Sequence, residues 1–194
     1  MELIRKGLRR IWRACWRARS WMVLRAYRAQ FRGLKVGRNV LLGRGAIISV
    51  ENNGRIVIGD GVFIGAHAAI TASGLIEIGD NSFVGPGCII AAAERVSVGA
   101  DALIAAYCTI RDQNHGFADP GLPYRSQLST IAPVSLGRNV WLGTHVTVVK
   151  GVAIGDDVIV GANSVVTRDI PPASLWAGVP AKPIRVIERD LKSV

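Results

Sequence analysis

The sequence predicts a mainly β protein built as a parallel β-helix of about six triangular coils. Aliphatic residues recur every six positions in groups of three, and eleven of these 18 residues are followed directly by glycine. Neither the 3.6-residue period of a helix nor the two-residue period of an ordinary strand explains this spacing, which indicates a repeat architecture. Three six-residue segments make one triangular turn, and stacked turns pair at about the 4.8 Å spacing of neighbouring strands.

The repeated aliphatic positions form six triplets, which we call the anchors and expect to point into the core. The anchors are Val36, Leu42, Ile48; Ile58, Ile64, Ile70; Ile78, Val84, Ile90; Val98, Ile104, Ile110; Leu136, Leu142, Val148; and Ile154, Val160, Val166. Four residues after each second anchor another small side chain should point inward: Ala46, Ala68, Cys88, Cys108, Val146 and Ser164. The two cysteines are therefore predicted to stack as inert core thiols.

Corner positions lie three residues after the anchors and collect residue types that tolerate positive φ. They include Asn39, Gly45, Gly61, Asn81, Gly87, Asp101, Asn139, Asp157 and Asn163. His67 and His145 occupy the same slot, so we interpret both as turn residues.

An apolar stripe is predicted on the outer surface of the second strands, where the residue before each anchor faces outward. These residues are Leu41, Phe63, Phe83, Leu103, Trp141 and Ile159. A monomer rarely leaves such a stripe in water, so we expect burial against other copies of the chain. A closed trimer suits a three-sided prism.

Basic charge is concentrated at the N-terminus. The chain has a formal net charge of +10, of which residues 1–38 carry +11 and the remainder −1. The main body therefore has no basic surface for nucleic acid. Residues 3–18 and 21–31 predict two helical stretches, separated by a phase slip near Ser20 and followed by a C-cap at Gly33. This profile is typical of contact with an anionic membrane surface through residues 1–32, or of packing against the chain itself or a sister subunit.

Three cysteines without the spacing of a zinc site indicate a reducing compartment. No early apolar run is long enough for a signal peptide, and none approaches the roughly 20 residues of a transmembrane helix. We therefore expect a cytoplasmic protein, free or peripheral on the inner face of the cytoplasmic membrane.

Residues 112–133 interrupt the six-residue rhythm with the polar stretch D-Q-N-H-G-F-A-D-P-G-L-P-Y-R-S-Q-L-S-T-I-A-P. A long excursion from a regular scaffold is usually a functional or a disordered loop, and its histidine, tyrosine and arginine favour the working loop of an enzyme. The predicted organisation is a basic helical segment (1–33), a β-helix (34–171) with the inserted catalytic loop (112–133), and a tail with a short helix (172–194).

Two stretches carry a family resemblance: the run from Trp141 to Pro172 with A-G-V-P-A-K-P-I-R after it, and the loop sequence D-Q-N-H-G-F. The first resembles the C-terminal signature of the galactoside, maltose and nodulation branch of the hexapeptide-repeat acetyltransferases. The second is similar to the O-antigen and capsule O-acetyltransferases of that branch. Over residues 36–187 the resemblance implies a left-handed β-helix and a homotrimer that binds acetyl-CoA between neighbouring subunits.

The same resemblance assigns site residues. His115 matches the catalytic histidine, and Trp141 the tryptophan that lines the pantetheine channel. Further coenzyme contacts are implied at Thr144, Ala162, Thr167, Arg168, Lys182 and Arg185. The last two also suit phosphates because of their charge.

For acetyl transfer from acetyl-CoA, His115 is expected to act as a general base toward an acceptor hydroxyl. We hypothesise that Asp112, Asn114 or a backbone carbonyl fixes its tautomer, although Asp112 can equally be a plain turn residue. Backbone N–H groups near Gly143 are candidates to stabilise the oxyanion. The best acceptor contacts of the loop are Tyr124 and Arg125.

The sequence thus predicts an acetyl-CoA-dependent O-acetyltransferase acting on a saccharide hydroxyl by direct transfer, in surface polysaccharide or lipid-linked glycan biosynthesis. N-acetylation of an amino sugar or nucleotide amino sugar is the alternative. A zinc carbonic anhydrase fits less well, because the three histidines lie 48 and 30 residues apart. A non-catalytic scaffold also fits less well, because it has no use for an outward Trp141 beside a histidine loop. No metal is expected. The acceptor residues of galactoside enzymes are not reproduced at Phe83 and Gly85, which leaves the acceptor open.

Overall fold

The predicted parallel β-helix is present in the computed structural model, which describes residues 2–188, with side chains described from residue 14 onward. One helix, α1 (Glu2–Gln30), precedes the coils. The first three coils comprise β1 (Leu34–Val36), β2 (Leu41–Leu42), β3 (Ile47–Val50); β4 (Arg55–Ile58), β5 (Phe63–Ile64), β6 (Ala69–Ala72); and β7 (Leu75–Ile78), β8 (Phe83–Val84), β9 (Ile89–Ala92).

The fourth coil precedes the inserted loop, and the fifth and sixth follow it. These elements are β10 (Arg95–Val98), β11 (Leu103–Ile104), β12 (Thr109–Arg111); β13 (Gln113–Asn114) and β14 (Thr130–Ile131) of the loop; β15 (Val134–Leu136), β16 (Trp141–Leu142), β17 (Thr147–Val148); and β18 (Ala153–Ile154), β19 (Ile159–Val160), β20 (Val165–Val166). The chain continues with β21 (Ser174–Ala177) and β22 (Lys182–Val186).

Each coil contributes one strand to each of three parallel sheets. The first-strand sheet has the order β1-β4-β7-β10-β15-β18, and the third-strand sheet the order β3-β6-β9-β12-β17-β20. The second-strand sheet is longer, with the order β2-β5-β8-β11-β16-β19-β21-β22. Because β21 adds to it in parallel and Ile170 bridges to Ile154, the stack reaches about seven turns.

The core is the column of anchors inside the triangle. Seventeen of the 18 anchors are buried, as are all six small residues predicted to point inward. Val36, in the first coil, is the anchor that stays partly exposed. The corner prediction is also confirmed, because every corner residue named above has a positive φ, including His67 (56°) and His145 (60°).

The prediction of two helical stretches is wrong, because residues 2–30 form one continuous helix. The phase slip marks Ser20, which is fully buried and bonds to the first coil: its hydroxyl accepts from the Leu42 N–H at 3.0 Å. Gly33 does not have the positive φ of a C-cap; a Cβ there would instead collide with the Gly54 carbonyl of the next coil. No described helix is both long enough and apolar enough to span a membrane.

Helix α1 closes the first end of the stack. The carbonyl oxygen of Leu42, on the edge strand β2, accepts hydrogen bonds from Trp16 Nε1 (3.0 Å), Arg19 (3.1 Å) and the Ser20 hydroxyl (3.4 Å). The Trp16 ring also meets Phe63 edge-on, with centroids 5.6 Å apart. The helix therefore covers the first part of the apolar stripe.

An antiparallel hairpin closes the other end, where β22 pairs with β21. Trp176 is buried there, and the guanidinium of Arg168 lies 5.4 Å from the centroid of its ring. The predicted short C-terminal helix is not found in residues 172–188, and residues 189–194 lie outside the described part of the chain.

Candidate active site

The root of the inserted loop is fixed by Asp112. Its carboxylate is fully buried and accepts three backbone N–H groups of the preceding corner: Ala93 (2.8 Å), Glu94 (2.7 Å) and Arg95 (2.8 Å). Its carbonyl accepts the Ala132 N–H at 2.9 Å, which joins the two ends of the loop. Asp112 therefore fastens the loop to the scaffold through contacts with an earlier coil, which is more than a plain turn residue would do.

The loop itself is an ordered hairpin. Its arms β13 and β14 pair in antiparallel register, and the side chain of Gln127 binds the backbone of Asp119 at both its N–H (3.0 Å) and its carbonyl (2.9 Å). Tyr124 and Arg125 lie in a short 3₁₀ turn near the tip, where the Tyr124 side chain is 70% exposed. Both side chains are exposed to solvent.

His115 follows β13 directly and is exposed. Within the described residues, the His115 side chain makes no hydrogen bond to Asp112, to Asn114 or to a backbone carbonyl, the three contacts hypothesised to fix its tautomer. Gly116 beside it packs against the Leu128 carbonyl, where a Cβ would not fit. The backbone around His115 is therefore held while its imidazole stays open.

Trp141 lies on the outer surface of the second-strand sheet and is 47% exposed. Its neighbours in register on the next three strands are Ile159, Leu175 and Arg185. At the usual strand spacing this row is about 14 Å long. It joins an exposed aromatic ring to an exposed cation along one surface.

Unpaired backbone donors lie beside this row. Gly143 is not among them, because its N–H donates to Val160 at 2.8 Å and its carbonyl accepts the Cys108 thiol at 3.1 Å. The N–H groups of Thr144 and Ala162, by contrast, make no hydrogen bond to any described residue. They occupy equivalent corner positions on successive coils, so a ligand that runs parallel to the stack would meet both.

The remaining predicted coenzyme contacts lie at the C-terminal end. Lys182 and Arg185 are exposed on β22, the outermost strand of the sheet that contains Trp141. Thr167 and Arg168 are also exposed but follow β20 of the third-strand sheet. The structure thus brings Trp141, Lys182 and Arg185 onto one surface and places Thr167 and Arg168 around the corner from it.

His115 does not share that surface. It leaves the scaffold after β12, in the third-strand sheet, whereas Trp141 belongs to the second-strand sheet. The histidine loop and the tryptophan row of one chain therefore lie on different sides of the prism.

Tyr107 is a candidate site residue that was not predicted from the sequence. It has a positive φ of 58°, is 57% exposed and stacks on His145, with ring centroids 5.1 Å apart. A non-glycine residue held in this region, particularly a bulky one, often has a functional reason. The sequence did contain a signal for it, because Tyr107 occupies the corner after the second strand, which in the other coils holds Gly, Asn or His.

The two core thiols are buried and donate to backbone carbonyls. The Cys88 thiol donates to the Ala105 carbonyl at 2.9 Å. The pKa of Cys88 is raised, mainly by its interaction with the Cys108 side chain and secondly by burial. Within the described residues no three His, Cys, Asp or Glu side chains gather as metal ligands would.

Comparison with known proteins finds family models that match these repeats. Residues 133–168 match the family described as "Bacterial transferase hexapeptide (six repeats)", and residues 55–92 and 75–110 match "Hexapeptide repeat of succinyl-transferase". The resemblance to the hexapeptide-repeat acetyltransferases is confirmed. The matched hexapeptide repeats lie on both sides of the inserted loop.

Among curated relatives, the galactoside O-acetyltransferase of Escherichia coli (strain K12) is 52% identical over 59 residues, which are 30% of this chain and 29% of that protein. The chain thus spans about a third of the length of the curated relatives that it matches. Among solved structures, a mutant of AntD, an N-acyltransferase from Bacillus cereus in complex with dTDP and coenzyme A, is 27% identical with a TM-score of 0.69. The structural match covers 81% of this chain and 86% of the AntD chain.

A maltose O-acetyltransferase from Clostridium difficile 630 is 29% identical, with a TM-score of 0.55 over 81% of this chain and 72% of that one. The solved structures that this chain is similar to thus include one named as an N-acyltransferase and one named as an O-acetyltransferase.

Proposed function

We propose that this protein is an acetyl-CoA-dependent O-acetyltransferase that acts on a saccharide hydroxyl. The observation that carries the proposal is the outer surface of the second-strand sheet. An exposed tryptophan and two cations lie there, and two N–H groups without a partner among the described residues lie at the adjoining corner. A ligand with an apolar, amide-containing arm and a phosphorylated end matches this order of groups.

In the proposed complex Trp141 packs along the pantetheine arm, and the N–H groups of Thr144 and Ala162 donate to its amide carbonyls. Lys182 and Arg185 bind the nucleotide phosphates, because charge-assisted hydrogen bonds to phosphate are among the strongest available. Thr167 and Arg168 then border the site from the neighbouring corner.

His115 is the proposed general base. Acetyl-CoA supplies the acetyl thioester that the acceptor oxygen attacks. An imidazole can accept a proton near neutral pH, so His115 takes the hydroxyl proton during attack and returns it to the departing sulfur. Asp112 acts on this step only through the loop root that it fastens.

A homotrimer is part of the proposal, since the histidine loop and the tryptophan row lie on different sides of one prism. Side-by-side packing brings the loop of one subunit to the row of the next. Leu103 and Trp141, exposed by 45% and 47%, are the apolar side chains that such packing would cover.

The acceptor is proposed to be a saccharide of surface polysaccharide or lipid-linked glycan biosynthesis, bound by Tyr124 and Arg125 at the loop tip. Helix α1 exposes Trp21 and Met22, each by 59%, among arginines. This pattern is typical of a helix on an anionic membrane surface, so we place the protein at the inner face of the cytoplasmic membrane.

N-acylation of an amino sugar is the second candidate, and the likeness to AntD favours it. The linkage formed separates the two reactions. Mild alkali cleaves an ester and leaves an amide intact, so alkali-stable product would replace the O-acetyl proposal with the N-acyl one.

The deciding experiment compares two histidine variants in acetyl transfer to a panel of sugars, nucleotide sugars and lipid-linked glycans. His115→Ala should lower turnover by about 10²–10⁴-fold, because that is the usual contribution of a general base. Acetyl-CoA binding, followed by calorimetry, should be retained.

His67→Asn is the matched control, because His67 is a corner residue and asparagine occupies equivalent corners in other coils. It should transfer acetyl groups at the wild-type rate. Equal activity of the His115→Ala and wild-type proteins would refute the mechanism, and failure of acetyl-CoA to bind would refute the proposed function.

A further inference from the structure

A basic cavity lies between helix α1 and the corner of the first coil, away from the proposed active site. Its volume is about 520 Å³. The helix contributes Arg17, Trp21, Leu24, Arg25 and Arg28, which lie on one helical face because they are spaced by three or four residues. The coil contributes the segment from Val36 to Leu41.

The floor of the cavity is apolar and its rim is cationic. Leu24 and Val40, each only 6% exposed, form part of the floor. Four arginines surround it, and no acidic residue among the described side chains lines it. This combination fits an anion carried on an apolar molecule better than it fits a small hydrophilic ion.

Three of the four guanidinium groups are available for a ligand. Arg38 is paired with Asp60 at 2.7 Å, and hydrogen bonds from the Arg38 backbone and side chain lower the pKa of that carboxyl. Where side chains are described, no carboxylate lies within ion-pair distance of Arg17, Arg25 or Arg28.

The helix itself offers no compensation for this charge. Residues 14–30 contain no aspartate or glutamate, so like charges repel one another along the face. The guanidinium of Arg25 lies over the Trp21 ring at 4.7 Å, which orients it while its N–H groups remain at the rim. Trp21, which lines the cavity, is 59% exposed, so the mouth of the cavity has an apolar border.

We propose that this cavity is a discrete binding site for the phosphate group of a membrane lipid, with Arg25 and Arg28 as its main ligands. Guanidinium groups bind phosphate through two parallel hydrogen bonds, and the apolar floor and border accept the adjoining part of the lipid. The site is separate from acetyl transfer, so its failure leaves the proposed enzymatic function untouched.

The test uses the full chain and two double variants with equal loss of charge. Arg25→Gln with Arg28→Gln removes the main cavity ligands. Arg32→Gln with Arg44→Gln is the control, because both residues are exposed and neither lines the cavity. Calorimetry measures binding of short-chain phosphatidic acid and of inorganic phosphate, and flotation measures binding to phosphatidylcholine vesicles with or without phosphatidylglycerol.

The cavity variant should bind short-chain phosphatidic acid at least about tenfold more weakly, since each charged hydrogen bond contributes roughly that factor. The control variant should stay within about twofold of wild type. Flotation should require phosphatidylglycerol and be lost in the cavity variant alone. Equal losses in both variants would show general surface attraction and overturn the proposal.

Two further outcomes are decisive. If inorganic phosphate binds as tightly as the lipid, the source is a soluble phosphate and the lipid assignment is wrong. Arg25→Lys with Arg28→Lys keeps the charge but removes the paired donors, so it should weaken lipid binding while preserving the fold. Wild-type binding by that variant would overturn the role of the guanidinium groups.

Discussion

The first end and the middle of the second-strand sheet carry the same sequence pattern and have different surroundings. At the first end, Leu41 and Phe63 are half-buried, and the Trp16 ring of the chain's own helix packs edge-on against Phe63. In the middle of the sheet, Leu103 and Trp141 are exposed by 45% and 47%. An apolar residue before an anchor therefore predicts that an outer surface is covered, but does not say what covers it.

Leu103→Lys should have the largest effect, because it places a charge in the surface that the proposed trimer buries. We expect loss of the trimer in analytical ultracentrifugation at micromolar concentration. Ser97→Lys is the control, since Ser97 belongs to the same coil but to the first-strand sheet. An intact trimer in the Leu103→Lys protein would mean that this surface is not the interface.

Two tryptophans on the same sheet surface should give opposite results. Trp141→Ala should raise the KM for acetyl-CoA by about tenfold with little change in the free energy of unfolding. Trp16→Ala should lower the free energy of unfolding by about 1–3 kcal/mol, since it loses packing on Phe63 and the bond to Leu42, and leave the KM unchanged. Steady-state kinetics and urea unfolding of both proteins check this; matching profiles would contradict the distinction between the first end of the sheet and its middle.

Ser20→Ala is a smaller change at the covered end. It leaves the Leu42 N–H without its 3.0 Å partner in a buried position, so we expect the free energy of unfolding to fall by about 1–2 kcal/mol. Ala18→Ser, on the exposed side of the helix, should shift urea unfolding by less than about 0.5 kcal/mol. A larger effect of Ala18→Ser than of Ser20→Ala would mean that Ala18, and not Ser20, faces the first coil.

Sequence reasoning succeeded wherever one slot is repeated in every coil. Ile64 and Ile90 are buried, and Asn81 and Asn139 adopt positive φ, because each coil imposes the same geometry on the same position. Tyr107 was missed although it occupies such a slot, since its stacking on His145 in the next coil depends on two residues 38 positions apart.

The site was harder to predict because its parts are not periodic. The buried carboxylate of Asp112 accepts hydrogen bonds from three N–H groups of an earlier corner. No local sequence pattern reveals such a long-range contact. Ser20 was interpreted as a break between helices, because a polar residue in an apolar stripe looks the same whether the helix ends or its hydroxyl bonds to a neighbouring strand. The open N–H groups of Thr144 and Ala162 also become visible only when the pairing of every coil is known.

The closures at the two ends of the stack also affect how copies of the protein can associate. A parallel β-helix with bare terminal coils would offer unpaired edges to which further copies could add, producing fibres. Here the side chains of α1 occupy Leu42 on the first edge, and β22 runs antiparallel on the last. Axial polymerisation is thereby disfavoured, which leaves lateral association, with its limited number of subunits, as the favoured route to assembly.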